Sequence, residues 1–127
     1  MSDDNVAIVS GAARGMGKSF SERLSAEGYK VVAFDVDETV LKNKGVHGLV
    51  ADVSKVDQVE AVVREANELG VIKVVVNNAG TWRRTPVESS WEQAISDWDY
   101  IMDTNLKGVL MLSRASIAHM KAAGGDI

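Results

Sequence analysis

Cysteine is missing from this 127-residue chain. That absence excludes a disulfide framework and any thiolate metal site. Histidine is nearly missing too: His47 and His119 stand apart, with no further ligands at metal spacing, so no metal centre is expected. Basic charge is scarce, with 14 Lys and Arg against 18 Asp and Glu and a formal net charge of -4. Binders of phosphate backbones carry clustered basic charge, so no nucleic-acid partner is expected. The single close basic pair, Arg83-Arg84, reads as solvated loop. Long apolar runs are lacking as well, none approaching the ~18 residues of a membrane span. The start, "MSDDN", is acidic and leads only into "VAIV", whereas a secretory signal needs a basic start and a longer apolar stretch. A cytoplasmic protein with no membrane partner is the expectation.

What is present is a repeat of short β-branched runs, turns and amphipathic stretches of helix length. Strands are predicted at 6–10, 30–35, 47–52 and 71–78. A helix is predicted from about Met16 to Glu27, with Gly28 as its left-handed stop. A short polar stretch or brief helix follows the second strand. Ser54 reads as the N-cap of a helix that places Val56, Val59, Val63 and Ala66 on one face and ends at Gly70. Residues 79–90, with the only proline, Pro86, read as loop. Apolar positions Trp98, Ile101, Met102, Leu106, Val109, Leu110, Ile117 and Met120 then run along helical stretches ending near Ala123. Strands alternating with helices imply a parallel sheet covered on both faces, an α/β fold in a single domain over 1–127. Trp82, Trp91 and Trp98 read as loop anchors and helix-packing residues rather than a stacking surface.

The turn "SGAARGMGKS" (10–19) joins the first strand to the first helix, where such sheets bind phosphate at a helix N-terminus. A P-loop would need glycine at position 12, which is Ala12; Gly11 comes one residue too early. The G-x-G-x-x-G fingerprint started from Gly15 and Gly17 would end on Phe20. The glycines present, Gly11, Gly15 and Gly17, follow G-x-x-x-G-x-G. Asp35 ends the second strand 18 residues after Gly17, about where an acid meets the adenosine ribose. Asp52 ends the third strand and "NNAG" (77–80) the fourth, all on the carboxyl rim of the sheet. Taken singly, Asp35 or Asp52 is equally a turn or capping residue; the set points to a nucleotide.

At this point the chain resembles the short-chain dehydrogenase/reductase family of the classical type. Ser10 stands where the family has threonine before its glycine motif, "NNAG" is its signature, and "ADVS" (51–54) is similar to its adenine-contacting turn. "TNLKGVLMLSRASIAHM" (104–120) is similar to the helix carrying the catalytic asparagine, here Asn105. The resemblance implies a Rossmann-type fold in strand order 3-2-1-4-5. In it Gly11, Gly15 and Gly17 shape the pyrophosphate turn, with Arg14 and Met16 giving backbone contacts. Asp35, with Val36 beside it, would hold the adenosine ribose, and Asn78, Ala79 and Gly80 its other side. Asp52 and Val53 would hold the adenine edge. Asn105 would support a water-linked proton relay.

Family members run to roughly twice this length and carry a Tyr-x-x-x-Lys helix and a catalytic serine further on. Tyr29 and Tyr100 are followed four residues later by Ala33 and Thr104, so neither makes the motif. The resemblance thus implies an N-terminal half, with "DI" beginning a fifth strand. For the parent protein it implies an oxidoreductase acting on a small-molecule alcohol or carbonyl. NAD is expected over NADP, because Asp35 would oppose a 2′-phosphate, although Arg14 resembles the basic residue of NADP-preferring members. Other readings are a non-catalytic module binding a nucleotide or a partner chain and, more remotely, a P-loop-like NTPase. An unpaired strand 71–76 beside an uncovered last helix predicts a homo-oligomer.

Overall fold

The structure, a computed structural model, describes residues 4–120 and 124–127. Four strands, β1 (Asn5–Ser10), β2 (Lys30–Asp35), β3 (His47–Val50) and β4 (Val71–Val76), form one sheet in the order β3-β2-β1-β4. Every pairing is parallel. This is the Rossmann-like arrangement expected. Helices α1 (Gly15–Ala26), α2 (Val56–Leu69), α3 (Trp91–Met102) and α4 (Gly108–Met120) accompany it. A 3-10 turn, Glu38–Lys42, follows β2, and a π turn, Asp103–Lys107, joins α3 to α4.

Side chains alternate across the strands, and both faces are dry. Val6, Ile8, Val32, Phe34, Ile72 and Val75 point to the side of α2 and α4, where Val59, Val63, Ala66 and Leu112 close over them. Ala7, Val9, Val31 and Ala33 point to the other side, under Val40 and Leu24 of α1. Burial of each large side chain contributes about 1.5–3 kcal/mol, so the β-branched runs of β1 and β2 set the core.

Several boundaries differ from the sequence expectation, each for a local reason. β3 stops at Val50 instead of Asp52, because Ser54 folds back to donate its N–H and hydroxyl to Asp52 Oδ1 at 2.9 and 2.7 Å. Ser54 is therefore not the cap of α2; Lys55 holds that position, without a side-chain cap. Val56 is exposed, and Val62 takes its expected place in the buried face. β4 ends at Val76, two residues early, because the next N–H groups turn to Ser10. α1 runs one residue earlier at each end, and Gly28 follows it at φ +99°, as expected for a left-handed stop.

The last helical stretches divide their apolar residues between core and surface. α4 buries Gly108, Leu112, Ser116 and Met120, while Leu106, Val109, Leu110 and Ile117 face out. Trp82, Trp91 and Trp98 are 77%, 84% and 64% exposed, so they neither anchor the loop nor pack a helix. The expected helix end near Ala123 lies outside the described residues. Asp126 pairs with β4 as a parallel bridge to Val74, giving its N–H to the Lys73 carbonyl and accepting from Val75. The outer side of β4 is thus partly paired rather than open along its length. No described helix is long and apolar enough to cross a membrane.

Candidate functional site

The rim at the carboxyl ends of the strands is built around one hydroxyl. Ser10 Oγ accepts the N–H groups of Asn78 and Ala79, both at 3.0 Å, and reaches the Val76 carbonyl. Asn78 Nδ2 donates to the Gly11 carbonyl at 3.0 Å. These bonds clamp the β1–α1 turn against the segment after β4. The glycines then divide their work. A methyl on Gly17 would stand 2.1 Å from the Gly11 carbonyl oxygen, and one on Gly11 2.8 Å from Ala79 Cα. Gly15 has φ +62° and no atom near its missing side chain, so it faces open space.

α1 begins beside that space with no side-chain cap and no acidic residue in its first turn. Its first N–H groups and dipole are open to an anion. Asp35 stands across the turn, where Oδ2 accepts from Ala13 N and Oδ1 from Asp37 N, each at 3.0 Å. Its carboxylate is a turn-forming residue and still keeps acceptor capacity on both oxygens. Asp52 uses Oδ1 for Ser54, and its own N–H donates to Gln58. Val53 is buried, with its side chain packed under Gly108. Val36 is exposed.

These groups line one groove of about 580 Å³. Gly11, Arg14, Asp35, Val36, Asp52, Val53, Asn78, Ala79 and Gly80 all border it. Gly15, Met16 and Gly17 do not, and Met16 points to solvent. Asn105 is not among the residues that line the groove, but it bonds to Thr81, which is. Its carboxamide bonds twice to the same backbone: Thr81 N donates to Oδ1 at 2.7 Å, and Nδ2 donates to the Thr81 carbonyl at 2.9 Å.

Sequence reasoning passed over Asp37, although "DVDET" carries an aspartate two residues before a threonine at a helix start. Asp37 Oδ1 accepts from Thr39 N, and Oδ2 lies 3.3 Å from Arg14 Nη1. The Thr39 hydrogen bonds, with Arg14 as a smaller contribution, hold its carboxyl below the usual carboxylate range. Arg14 is therefore already paired. Arg83 is also not a free loop cation: its guanidinium carbon lies 3.5 Å over the Tyr100 ring. His47 pairs with Glu65 at 2.9 Å, and no metal-binding cluster occurs among the described residues.

A parallel sheet with a glycine turn and two carboxylates on its carboxyl rim defines a Rossmann-like nucleotide-site architecture. The chain belongs to the short chain dehydrogenase family, whose model matches residues 5–127. It is 31% identical to a galactitol 2-dehydrogenase of Agrobacterium fabrum over 98% of this chain and 51% of that protein. It is 39% identical to a 3-oxoacyl-(acyl-carrier-protein) reductase FabG of Staphylococcus aureus, over 95% of this chain and 53% of that protein. An aldohexose dehydrogenase of Thermoplasma acidophilum, solved in ligand-free form, superposes with a TM-score of 0.83 at 34% identity. That match covers 95% of this chain and 46% of the other. The chain thus spans about half the length of the relatives it matches.

Proposed function

We propose that this chain is a dinucleotide-binding unit, the cofactor-binding half of an NAD-dependent oxidoreductase that interconverts an alcohol and a carbonyl. The observation that carries the reading is the convergence of Gly11, Asp35, Asp52 and the Asn78–Gly80 segment on one groove. The residues present fit the cofactor. The open space at Gly15 and the uncapped start of α1 suit a pyrophosphate. The spare acceptors of Asp35 suit ribose hydroxyls, and those of Asp52, above buried Val53, suit an adenine edge. When bound, the nicotinamide cofactor supplies hydride transfer.

NAD is favoured over NADP. A 2′-phosphate beside Asp35 brings two like charges within a few ångströms, at a cost on the order of several kcal/mol. Arg14 already shares its charge with Asp37, which weakens what it offers such a phosphate. Calorimetric titration should give NAD at least about tenfold tighter binding, roughly 1.4 kcal/mol. Equal affinities would refute the preference, and no binding of either would refute the unit itself. A P-loop-like NTPase would respond to ATP with magnesium instead, and a non-catalytic partner-binding module to neither dinucleotide.

Proton delivery to a carbonyl oxygen needs a positioned acid. In this reading Asn105 supports a relay to such an acid, but this sequence holds no Tyr-x-x-x-Lys pair. Members of a cooperating catalytic set fail together, so no turnover is expected from the 127 residues alone. NADH oxidation with a panel of ketones should remain at the blank. A rate that survives purification and vanishes in Asn105→Ala would overturn this.

A further inference from the structure

Among the described residues, Asp97 on α3 is the one charged side chain that is buried, at 3% exposed. A carboxylate withdrawn from water has to be paired and hydrogen-bonded to stay ionised. Asp97 is both. Thr85 Oγ1 donates to Oδ2 at 2.8 Å, Gln93 Nε2 donates to Oδ1 at 2.8 Å, and Arg83 Nη1 lies 3.6 Å from Oδ1. Two of these three partners come from the loop after β4, and Gln93 comes from one turn earlier in α3.

Loop anchoring alone would be met by Thr85. The Arg83 arm does something further. Its guanidinium, held near Asp97, covers the face of Tyr100 and so fixes the phenol ring. The Tyr100 hydroxyl accepts from Thr81 Oγ1 at 3.1 Å. The Thr81 backbone in turn makes both hydrogen bonds of the Asn105 carboxamide. A continuous line of contacts therefore runs from a buried charge to an amide bonded to the groove wall. Tyr100 and Thr81 are themselves part of that wall.

We propose that Asp97 is a positioning residue: acting through Arg83, Tyr100 and Thr81, it sets the orientation of the Asn105 carboxamide. Its functional meaning rests on the role given above to Asn105, while the geometry does not. Asn105 lies in the π turn, an irregular backbone where side-chain orientation is not fixed by helix packing. An external lock is needed there, and the Thr81 backbone, tethered through Tyr100 and Arg83 to Asp97, supplies it.

The test uses the isotope-labelled chain without any cofactor, in Arg83→Met, Asp97→Asn and Arg83→Lys forms. Arg83→Met removes a half-exposed side chain and leaves the Thr85 and Gln93 hydrogen bonds to Asp97, and the β1 amides report whether the fold holds. In Arg83→Met and Asp97→Asn, exchange of the Thr81 amide hydrogen should quicken on the order of tenfold, the change expected for one lost hydrogen bond. The Asn105 side-chain resonances should shift, while the Ala7 and Val9 amides of β1 exchange as before. Arg83→Lys, which keeps the cation but not the planar stack, should fall between. Unchanged Thr81 and Asn105 signals in Arg83→Met would overturn the proposal. So would an equal quickening of Thr81, Ala7 and Val9, which would mark general loosening. A failure to bind NAD would leave this result standing, and its failure would leave the NAD titration untouched.

Discussion

At the scale of single residues, the three motif glycines separate by what surrounds them. Gly17 is a packing glycine: its missing side chain makes room for the Gly11 carbonyl and for Asn78 Nδ2. Both are fixed, since Asn78 bonds to Gly11 and its own N–H bonds to Ser10. Gly17→Ala should therefore destabilise by about 1–3 kcal/mol, the range for overpacking, because no flexible side chain can give way. Gly15 is a conformational glycine, and Gly15→Ala should cost only about 1 kcal/mol of left-handed backbone strain. It would, however, put a methyl in the space proposed for phosphate. Urea denaturation of the two variants should show the larger loss at Gly17, whereas NAD titration should show a loss of affinity in Gly15→Ala out of proportion to its small stability cost. Spacing alone revealed the glycines but not this division. It depends on Ser10 and Asn78, which are close only after β1 and β4 pair.

At the scale of elements, the strands were legible because β-branched runs such as "VAIVS" and "KVVAFD" have no rival conformation as favourable. Their ends were less so. β3 and β4 stop where side-chain oxygens of Asp52 and Ser10 capture backbone N–H groups, and such captures are invisible to periodicity. The last helix reads in the sequence as one whose apolar surface lacks a cover, and Leu106, Val109, Leu110 and Ile117 are exposed while Gly108, Leu112, Ser116 and Met120 are buried. The Asp97 cluster was missed because two of its three partners, Arg83 and Thr85, come from a loop with no periodicity at all.

That cluster carries a pH dependence. The Thr85 hydrogen bond first, then those of Gln93 and the nearby Arg83 charge, hold the Asp97 carboxyl below its ordinary value despite burial. A carboxyl lowered on folding contributes stability that is complete above its unfolded value, about 4, and lost as pH falls through the folded one. Urea midpoints should thus drop below about pH 4, and Asp97→Asn should flatten part of that acid limb. An acid limb identical to that of the unaltered chain would show that the ion contributes nothing.

At the scale of the whole molecule, the surface is uneven in a way that bears on assembly. Trp91, Ile95 and Trp98 follow one another at helical spacing along α3, all more than half exposed. Leu106 in the π turn and Leu110 and Ile117 on α4 are likewise more than half exposed. Monomers seldom expose contiguous apolar patches of this kind. The outer side of β4, a strand of β-branched residues, is paired with Asp126 through a single bridge. A second copy of the chain satisfies both needs, since a two-fold pairing buries the same patch on each partner. The expected species at micromolar concentration is therefore a symmetric dimer. Helix packing and strand pairing are separable routes to it. Leu110→Glu with Ile117→Glu places two charges on α4 without touching the sheet, and it should return the chain to monomer if the helix face carries the contact. Light scattering reads the outcome directly. A monomer in the unaltered chain, with the amides of residues 71–76 protected from exchange, would show that the Asp126 bridge already closes the edge and that the apolar helix face stays free.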